Sequence, residues 1–502
     1  MDFKQLSLGQ LDSKHPEYDQ KSPVWRTIDT LRQGFPAIKT DIEKYLPKRP
    51  VEDDELYKLR TAKLAYSPVM SHIVHTYTGK MAMAGIDFPE EAGEVWGAIR
   101  EDNTPKGDTK RDEMSLVCEI FTDLLYFGIS YVMVDVPKEA TIARSSFELR
   151  QSGLMPFFSR ISPLEVINWG DDWVIRKQYI SESTPFEVPS TYALYSYIGK
   201  EQIVTFKIKV QLGTKEDSEQ NSYPVVTKVW YNNDWEVPDD DIHKYDPFEI
   251  LEGVGLDRLV KTDVSADKWL CLALFNKQIQ HLRIENAWTD AGYLSGTVQR
   301  VFTPQDPVVA DDPRVSYSTS DIEKQLAKAG NAHILVGKGY AFVESSGAAL
   351  GNLEQMLDKI EEQISKIANM HFATGKAGTL QQSGLSKKLD MSLLEGTMQE
   401  YGTLLVDSYN SLLAIVAGLL SIPTVTVGGL SDFTEADPSV TLAAIGAIAP
   451  LTDYPLLGKA LVYRKLLNDL EITVAPEEDT IITAQLAAID YPQPPKPVSN
   501  SL

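Results

Sequence analysis

Hydrophobic periodicity changes twice along this chain of 502 residues. Residues 25–127 carry apolar side chains at intervals of three and four, which is typical of amphipathic helices. Residues 156–260 are instead rich in Tyr, Val, Ile and Thr between polar turns, which favours strands. After residue 265 the helical spacing returns. The helical and β-rich regions thus follow one another along the chain, and no internal repeat is present. The chain is therefore predicted to be an α+β protein.

The end of the first helical part can be predicted in detail. Residues 112–127 form an amphipathic helix, and Gly128 closes it as a C-cap because glycine adopts left-handed backbone without steric cost. Residues 129–136 are mostly apolar and are predicted to continue as a buried strand. A helix, a glycine and a strand therefore follow one another without a linker.

Two long helices are predicted at 266–288, with Ser265 as the N-cap, and at 348–370. The second carries a narrow seam with spacings of four and three, as in helices that pack side by side. The seam consists of Leu353, Leu357, Ile360, Ile364 and Ile367. Its predicted partners on the first helix are Trp269, Leu272, Phe275, Ile279 and Leu282. A third long helix is predicted at 384–420.

The insert between the first two long helices is predicted to hold short strands and one small helix. The strands fall at 293–294, 298–302, 334–336 and 340–343, and the helix at 320–329. The chain beyond residue 423 alternates short strands and helices and ends in a proline-rich tail.

Acidic residues outnumber basic ones by 71 to 48, so the formal net charge is −23. This balance argues against tight binding of nucleic acid, which needs cations to displace counterions from phosphates. The two cysteines, Cys118 and Cys271, favour a reducing compartment without a disulfide framework. The longest apolar run, 412–420, is less than half of the roughly 20 residues that span a bilayer. With no apolar signal segment at its start, the sequence favours an intracellular protein without a membrane.

Catalytic signatures are missing from the sequence. There is no phosphate-binding loop, no nucleophile elbow and no H-E-x-x-H zinc motif. The run Asp239–Asp241 with His243 is the best candidate for a divalent cation, although an acidic turn between strands is also typical of a solvated loop. His72 and His75 are spaced as a metal pair but have no third ligand nearby. No enzymatic activity, resident metal or cofactor is predicted.

The order of elements resembles that of the portal protein, or head-to-tail connector, of tailed double-stranded-DNA bacteriophages. The local sequence is similar at several places: His15-Pro16-Glu17-Tyr18, Trp25-Arg26, Tyr45-Leu46-Pro47, Arg60–Tyr66, Gly79-Lys80-Met81, Glu119–Asp135 and Ser383–Leu389. Each motif is weakly specific. The order of a helical start, a β-rich block, two long helices around an insert, a loop and a third long helix carries the resemblance.

The resemblance implies a portal-like elongated subunit with a helical/β wing, a two-helix stem, a small α/β clip, a long wing helix and a mainly helical crown. Its parts are an N-terminal arm at 1–24, the N-terminal part of the wing at 25–264, stem helix 1 at 265–290, the clip at 291–347, stem helix 2 at 348–370, a tunnel loop at 371–383, the wing helix at 384–421, and the crown with a flexible tail at 422–502.

The function implied is that of a dodecameric ring at one vertex of the capsid. Double-stranded DNA passes through the ring without sequence specificity during packaging and ejection. The implied partners are the major capsid protein, the terminase, and the tail adaptor protein that replaces it. The implied location is the portal vertex of the virion, and the host cytoplasm during assembly.

The resemblance also implies roles for particular residues. Acidic side chains on stem helix 2 would line the DNA channel, where charge of like sign repels the phosphates: Glu354, Asp358, Glu361 and Glu362. A solvated helix face explains them equally well, and Glu362 can pair with Lys366 at i, i+4. The tunnel loop would present His371, Thr374, Gly375, Lys376, Gly378 and Gln381. The clip would meet its partners through Thr303, Gln305 and Asp306.

Two alternatives stay open from the sequence. One is another ring-forming head–tail connector component. The other is a metal-dependent hydrolase that uses Asp239–Asp241 together with His243. Particle mass distinguishes them, because a large ring favours the connector functions and a small metal-bound particle favours the hydrolase.

Overall fold

The computed structural model describes residues 5–50, 52–89, 93–104, 109–137, 155–183, 188–231, 234–236, 243–295, 299–303, 334–336, 339–343, 348–369 and 384–433. The chain divides into two compact units, residues 1–433 and 434–502, and all the described residues belong to the first. They form a mixed helix and strand structure, which confirms the predicted α+β class at this level. The predicted crown and the tunnel loop lie outside the described residues, apart from residues 422–433.

The helices have these bounds: α1 Leu8–Leu11, α2 Pro16–Gln33, α3 Phe35–Thr40, α4 Ile42–Tyr45, α5 Asp54–Ala62, α6 Val69–Ala84, α7 Gly93–Glu101, α8 Glu113–Phe127, α9 Leu270–Ser295, α10 Ala348–Ile367 and α11 Gly384–Leu420.

The strands have these bounds: β1 Leu6–Ser7, β2 Ile86–Asp87, β3 Ile129–Asp135, β4 Phe157–Ile161, β5 Val166–Gly170, β6 Trp173–Glu182, β7 Ser190–Ile198, β8 Gln202–Glu216, β9 Ser222–Tyr231, β10 Asp234–Glu236, β11 Lys244–Tyr245, β12 Glu249–Glu252, β13 Leu259–Asp263, β14 Gln299–Thr303, β15 Ile334–Val336, β16 Gly339–Val343 and β17 Gly428–Gly429.

The predicted junction of helix, glycine and strand is confirmed. The side chain of Asp112 caps α8 by accepting a hydrogen bond from the Ser115 amide. Gly128 ends the helix in left-handed backbone with a φ of +72°, and β3 follows at once. A side chain at position 128 would also meet the Trp269 ring at about 3.0 Å, so both backbone angle and space call for glycine here.

The β-rich block forms an antiparallel sheet of seven strands in the order β10-β9-β8-β7-β6-β5, with β12 pairing to the first part of β8. The first part of the stretch predicted to favour strands, residues 157–170, forms two strands in different sheets. Pro163 lies in the turn between them, so β4 joins β3 and β13 whereas β5 starts the seven-stranded sheet. Strand β8 buries alternate side chains in the core: Val204, Phe206, Ile208 and Val210.

A small sheet lies between α9 and α10 along the chain. Strand β14 pairs in parallel with β15 and antiparallel with β16. The strands predicted at 298–302, 334–336 and 340–343 are confirmed within one residue. The strand predicted at 293–294 is wrong, because these residues continue helix α9 to Ser295. The helix predicted at 320–329 lies outside the described residues.

The start of the first long helix also differs from the prediction. Helix α9 begins at Leu270, and Ser265 is not its N-cap. The Ser265 carbonyl instead accepts a hydrogen bond from the Lys268 amide, so the two residues close a turn. Trp269 then donates from its indole to the Tyr126 carbonyl at 2.8 Å, which fixes the chain before the helix starts. The first long helix, predicted at 266–288, therefore runs from Leu270 to Ser295, and the second, predicted at 348–370, ends at Ile367.

The N-terminal segment is not the polar arm predicted for residues 1–24. From Leu6 onwards it packs on the domain: β1 pairs with β11, and Leu8, Leu11 and Tyr18 are buried. The Tyr18 hydroxyl donates to the Leu164 carbonyl at 2.8 Å, next to β5. The apolar residues were few and widely spaced among polar ones, so the sequence did not reveal the packed face.

Helix α8 lies at the centre of the main apolar cluster. Its side chains are buried on most sides, including Leu116, Ile120, Phe121 and Leu124. Helices α2, α6, α9 and α11 and strand β3 all pack against it. The sheet of β13, β3 and β4 and the helices therefore share one apolar core.

Within the described residues, the stretch Leu394–Leu420 of α11 is long and apolar enough to cross a membrane, with a mean hydropathy of 1.6. A core helix of a folded protein passes the same test. Here 44% of the stretch is buried inside the chain, where α11 packs on β13, β3 and α8.

Candidate functional site

Helices α9 and α10 form an antiparallel pair. His281 of α9 lies against Glu361 of α10, with 3.2 Å between Nε2 and Oε1. One end of the pair is buried in the main core, where Ile360 and Ile364 join the same apolar cluster as Phe275 and Leu282. The predicted packing of the seam on the first long helix is confirmed for these residues.

The same seam is less covered towards the start of α10. Leu353 and Leu357 are only half-buried, and Met356 beside them is 48% exposed. Trp288 lies near the same level of α9 and is 43% exposed. One copy of the described chain therefore fills the seam at Ile360 and Ile364, leaves it partly open at Leu353 and Leu357, and leaves Ile367 at the end of α10 37% exposed.

The four acidic residues predicted to line a channel do not share one environment. Glu354 and Glu362 are exposed, whereas Asp358 and Glu361 are half-buried. Glu362 accepts a hydrogen bond from Lys366 at 2.7 Å, which lowers the pKa of Glu362. The predicted i, i+4 pair is therefore present. Glu361 faces His281 at the contact between the two helices, so it is the member least suited to an open wall.

Helix α9 also carries a row of polar side chains that the sequence analysis missed. Gln278 accepts from the Met70 amide and donates to the Ser67 carbonyl, each at 2.8 Å. Glu285 accepts from the Ser67 hydroxyl at 2.6 Å. Asn286 exchanges two hydrogen bonds with the backbone of Ala65. Polar residues at 278, 281 and 285 recur at helical spacing on an apolar helix, and this was the available signal.

This polar row fixes the helix pair to the N-terminal helices. Backbone groups of Ala65, Ser67 and Met70, at the junction of α5 and α6, find their hydrogen-bond partners on α9 side chains. These hydrogen bonds oppose sliding of α9 along the N-terminal helices, because any shift would leave buried polar groups without hydrogen-bond partners. The Tyr77 hydroxyl makes a second link from α6, donating to the Ala368 carbonyl after α10 at 2.6 Å.

A cleft of about 700 Å³ lies where α9 begins and α10 ends. The charged residues that line it are mainly acidic: Asp263, Asp267, Glu400 and Asp407. Lys268 pairs with Glu400 at 2.6 Å. The cleft is open and of mixed polarity, which suits solvent better than a small apolar ligand.

The predicted tunnel loop residues His371, Thr374, Gly375, Lys376, Gly378 and Gln381 lie outside the described residues, as do Gln305 and Asp306 of the clip. Thr303 is described at the end of β14, where it stands opposite Gly339 of β16. The roles given to these residues stay predictions.

The alternative hydrolase site is only partly described. Residues 237–242, which include Asp239–Asp241, lie outside the described residues. His243 stacks on Tyr231 with 4.0 Å between ring centroids and pairs with the carboxylate of Glu236. Among the residues that the structure describes, no group of three or more His, Cys, Asp or Glu side chains is placed to hold a metal ion.

Both cysteines are free, as predicted. Burial raises the pKa of Cys118 to about 11 and raises that of Cys271 further. Neither thiol is therefore prepared for nucleophilic chemistry.

Comparison with solved structures finds chains of gene transfer agent particles and a phage portal protein. One is a chain from the neck of an empty gene transfer agent particle, with a TM-score of 0.37 and 11% identity, covering 82% of this chain and 94% of that one. Another is the crystal structure of an HK97 family phage portal protein from Corynebacterium diphtheriae, with a TM-score of 0.32 and 10% identity, covering 71% and 95%.

A phage portal protein is thus among the structural neighbours of the chain, in line with the predicted resemblance. A chain of the native gene transfer agent virion is also similar, with a TM-score of 0.35, 11% identity and coverage of 88% and 98%. No protein-family profile matches the sequence, and no curated protein matches it. Likeness at these TM-scores assigns no activity and no partner to the chain.

Proposed function

We propose that this chain is a portal subunit of a tailed double-stranded-DNA phage or a related particle. Twelve copies would close a ring at one capsid vertex, through which DNA enters during packaging and leaves during ejection. Each subunit forms part of the channel wall and has a structural role, without enzymatic activity, metal or cofactor. The proposed ring adjoins the major capsid protein and receives first the terminase and then the tail adaptor.

The observation that carries this proposal is the incomplete helix pair. Helices α9 and α10 bracket the small sheet β14–β16, and the α10 seam has the spacing of helices that pack side by side. A single chain covers that seam at Ile360 and Ile364 but leaves Leu353, Leu357 and Met356 partly open. A neighbouring copy supplies the missing cover if the pairs stand side by side around an opening.

The charge suits such an opening. Glu354 and Glu362 are exposed on α10, so a ring of these helices would present rows of carboxylates. Like charge repels the DNA backbone within about 8–10 Å at physiological salt and acts as a soft wall. A basic wall would instead bind phosphates and slow the duplex.

The parts of the subunit follow the predicted scheme with the bounds corrected where the structure describes them. The stem is α9 and α10, the clip lies between them, and α11 is the wing helix. Residues 371–383 are proposed as the tunnel loop and residues beyond 422 as the crown and tail.

The first experiment is end-on electron microscopy of the purified full chain, together with its native mass. We expect rings of about twelve subunits with a central opening. A particle that stays at the 55.9 kDa of one chain contradicts the proposal. Rings without an opening wide enough for duplex DNA favour a different connector component.

Deletion of residues 371–383 tests the tunnel loop separately. The variant is expected to assemble rings, because the helix pair is retained, but to fail in packaging or retaining the genome. A matched control replaces the same residues with a Gly/Ser linker of equal length. Normal genomes in particles built from the deletion variant would exclude the loop from the mechanism.

A further inference from the structure

The outward face of the seven-stranded sheet has an unusual composition for so acidic a chain. Side chains of β8 alternate between the two faces, so Lys207 and Lys209 lie opposite to the buried Phe206 and Ile208. Neighbouring strands add aromatic rings at the same level. The face is therefore basic and aromatic at its centre.

Five side chains make up this centre, which we call the aromatic–lysine patch: Tyr192, Lys207, Lys209, Trp230 and Phe248. The Lys207 ammonium lies 4.4 Å from the ring centroid of Tyr192 and 5.3 Å from that of Phe248. The Lys209 ammonium lies 5.2 Å from that of Trp230. Phe248 is 64% exposed and Trp230 is 36% exposed. Exposed aromatic residues beside cations are the composition of binding hot spots.

The turns at one end of the same sheet form a surface of opposite character. An open groove of about 490 Å³ is lined by Asp171, Asp172, Lys200, Glu201, Leu256 and Asp257. Its four carboxylates are exposed and outnumber the single lysine, which pairs with Asp172 at 2.7 Å. We call these residues the acidic groove. Leu256 adds an apolar contact among the charges.

We infer that the aromatic–lysine patch of one copy docks on the acidic groove of the next copy in the ring. The inference rests on the proposed function, which provides the neighbouring copy. Two different surfaces meet in such a contact, and a contact of this kind generates closed rings when the rotation between copies closes. Complementary charge would set the register between copies, and the aromatic rings and Leu256 would supply apolar contact.

A second copy suits the patch better than an unrelated acidic protein. Both complementary surfaces belong to one sheet, so every copy that offers the patch also offers the groove. Lys207 pairs with Glu182 at 2.6 Å, but a surface ion pair of this kind contributes little and can be exchanged at low cost. The contact would also lie away from the helix pair, so it is a second and separate interface.

Charge reversal tests the inference on the full chain. Lys207→Glu together with Lys209→Glu is expected to raise the protein concentration for half-maximal ring formation at least tenfold at 0.15 M salt. The matched control is Lys39→Glu with Lys58→Glu, which changes the charge equally at exposed positions outside the sheet. Sedimentation measures the assembly, and circular dichroism verifies that each variant is folded.

A crosslink provides an independent measurement. Chains with Lys209→Cys are mixed with chains carrying Asp171→Cys under oxidation, and a disulfide-linked pair is expected in the rings but not with either variant alone. The inference is overturned if the reversed chain assembles like the wild type, or if no crosslink forms. If wild-type chains form no ring, the proposed function is overturned as well. If rings form normally despite the charge reversal and no crosslink appears, only this inference is overturned.

Discussion

The core around α8 and the pair α9–α10 differ in how completely one chain fills them. Helix α8 is buried on most sides, and its neighbours come from six other elements of the same chain. The helix pair is filled only at the end that joins this core. Its other end leaves Trp288 and Met356 exposed and Leu353 and Leu357 half-buried.

This difference distinguishes the residues that stabilise a single subunit from those that would become buried only against a neighbouring copy. Apolar burial stabilises a fold in proportion to the area removed from water. The α8 core gains that stabilisation within the chain. The open part of the pair gains it only on assembly, so substitutions in the two regions should affect different measurements.

The largest effect is expected inside the core. Phe121 is fully buried on α8, and its ring meets that of Tyr401 edge-on with 5.1 Å between centroids. Phe121→Ala should lower the free energy of unfolding by about 3–5 kcal/mol, because it removes buried area and leaves a cavity. Chemical denaturation of the monomer measures it. A loss below about 1 kcal/mol would show that the α8 core is not the stabilising centre.

Asp123 is an ionisable residue inside that apolar core, and its substitution should have the next largest effect on stability. It is buried on α8, with 3.4 Å between its Oδ2 and Nε of Arg160. Burial raises the pKa of Asp123 from 3.8 to about 6, although Arg160 opposes the shift. Between about pH 4 and pH 6 the folded chain therefore holds more protons than the unfolded chain. The contribution of Asp123 to stability therefore falls as the pH rises through that window.

Asp123→Asn should remove this dependence. Raising the pKa of Asp123 from 3.8 to about 6 corresponds to about 3 kcal/mol, so the variant should be more stable than the wild type by up to that amount at pH 7–8. The advantage should shrink towards pH 4, where Asp123 is protonated. Denaturation of both proteins at several pH values measures the difference, and contributions from other groups cancel. An advantage that is independent of pH would contradict the assignment to ionisation.

The sequence predicted elements that are fixed by local signals. Helix α11 matches its predicted bounds, and the junction at Gly128 was predicted because capping and the left-handed turn depend on neighbouring residues. The turn at Ser265–Lys268 was missed because a contact distant in sequence, from Trp269 to Tyr126, fixes it. No local pattern contains that information.

The candidate site shows the same limit. Spacing alone identified the α10 seam and the pair Glu362–Lys366, since both depend on positions within one helix. It could not show that Glu361 faces His281 or that Gln278 and Asn286 bond to the backbone of residues 65–70. These contacts require the position of α9 relative to other elements, and that position is a property of the whole fold.

At the open end of the helix pair, stability and assembly should respond differently. Trp288→Asp with Met356→Asp should change the unfolding free energy of the monomer by no more than about 0.5 kcal/mol, as for exposed positions generally. Ring formation should be reduced strongly, because two charges would be buried between copies. Gln355→Asp with Asn352→Asp adds the same charge at exposed polar positions of α10 and serves as the control. A large loss of monomer stability would mean that the chain itself covers this end.

The smallest effect is expected at the pair formed by Glu362 and Lys366, whose side chains are 61% and 65% exposed. Glu362→Gln should leave the denaturation midpoint of the monomer unchanged at high salt, because solvent and ions screen a pair in this position. The same measurement on assembled rings makes the comparison sharper. If Glu362 faces a water-filled channel, the midpoint of the ring is also unchanged. A denaturation midpoint that the substitution lowers in the ring alone would place the Glu362–Lys366 pair at a contact between copies. Glu362 would then lie in the interface, as proposed for Met356, and would not line the channel, as proposed for Glu354.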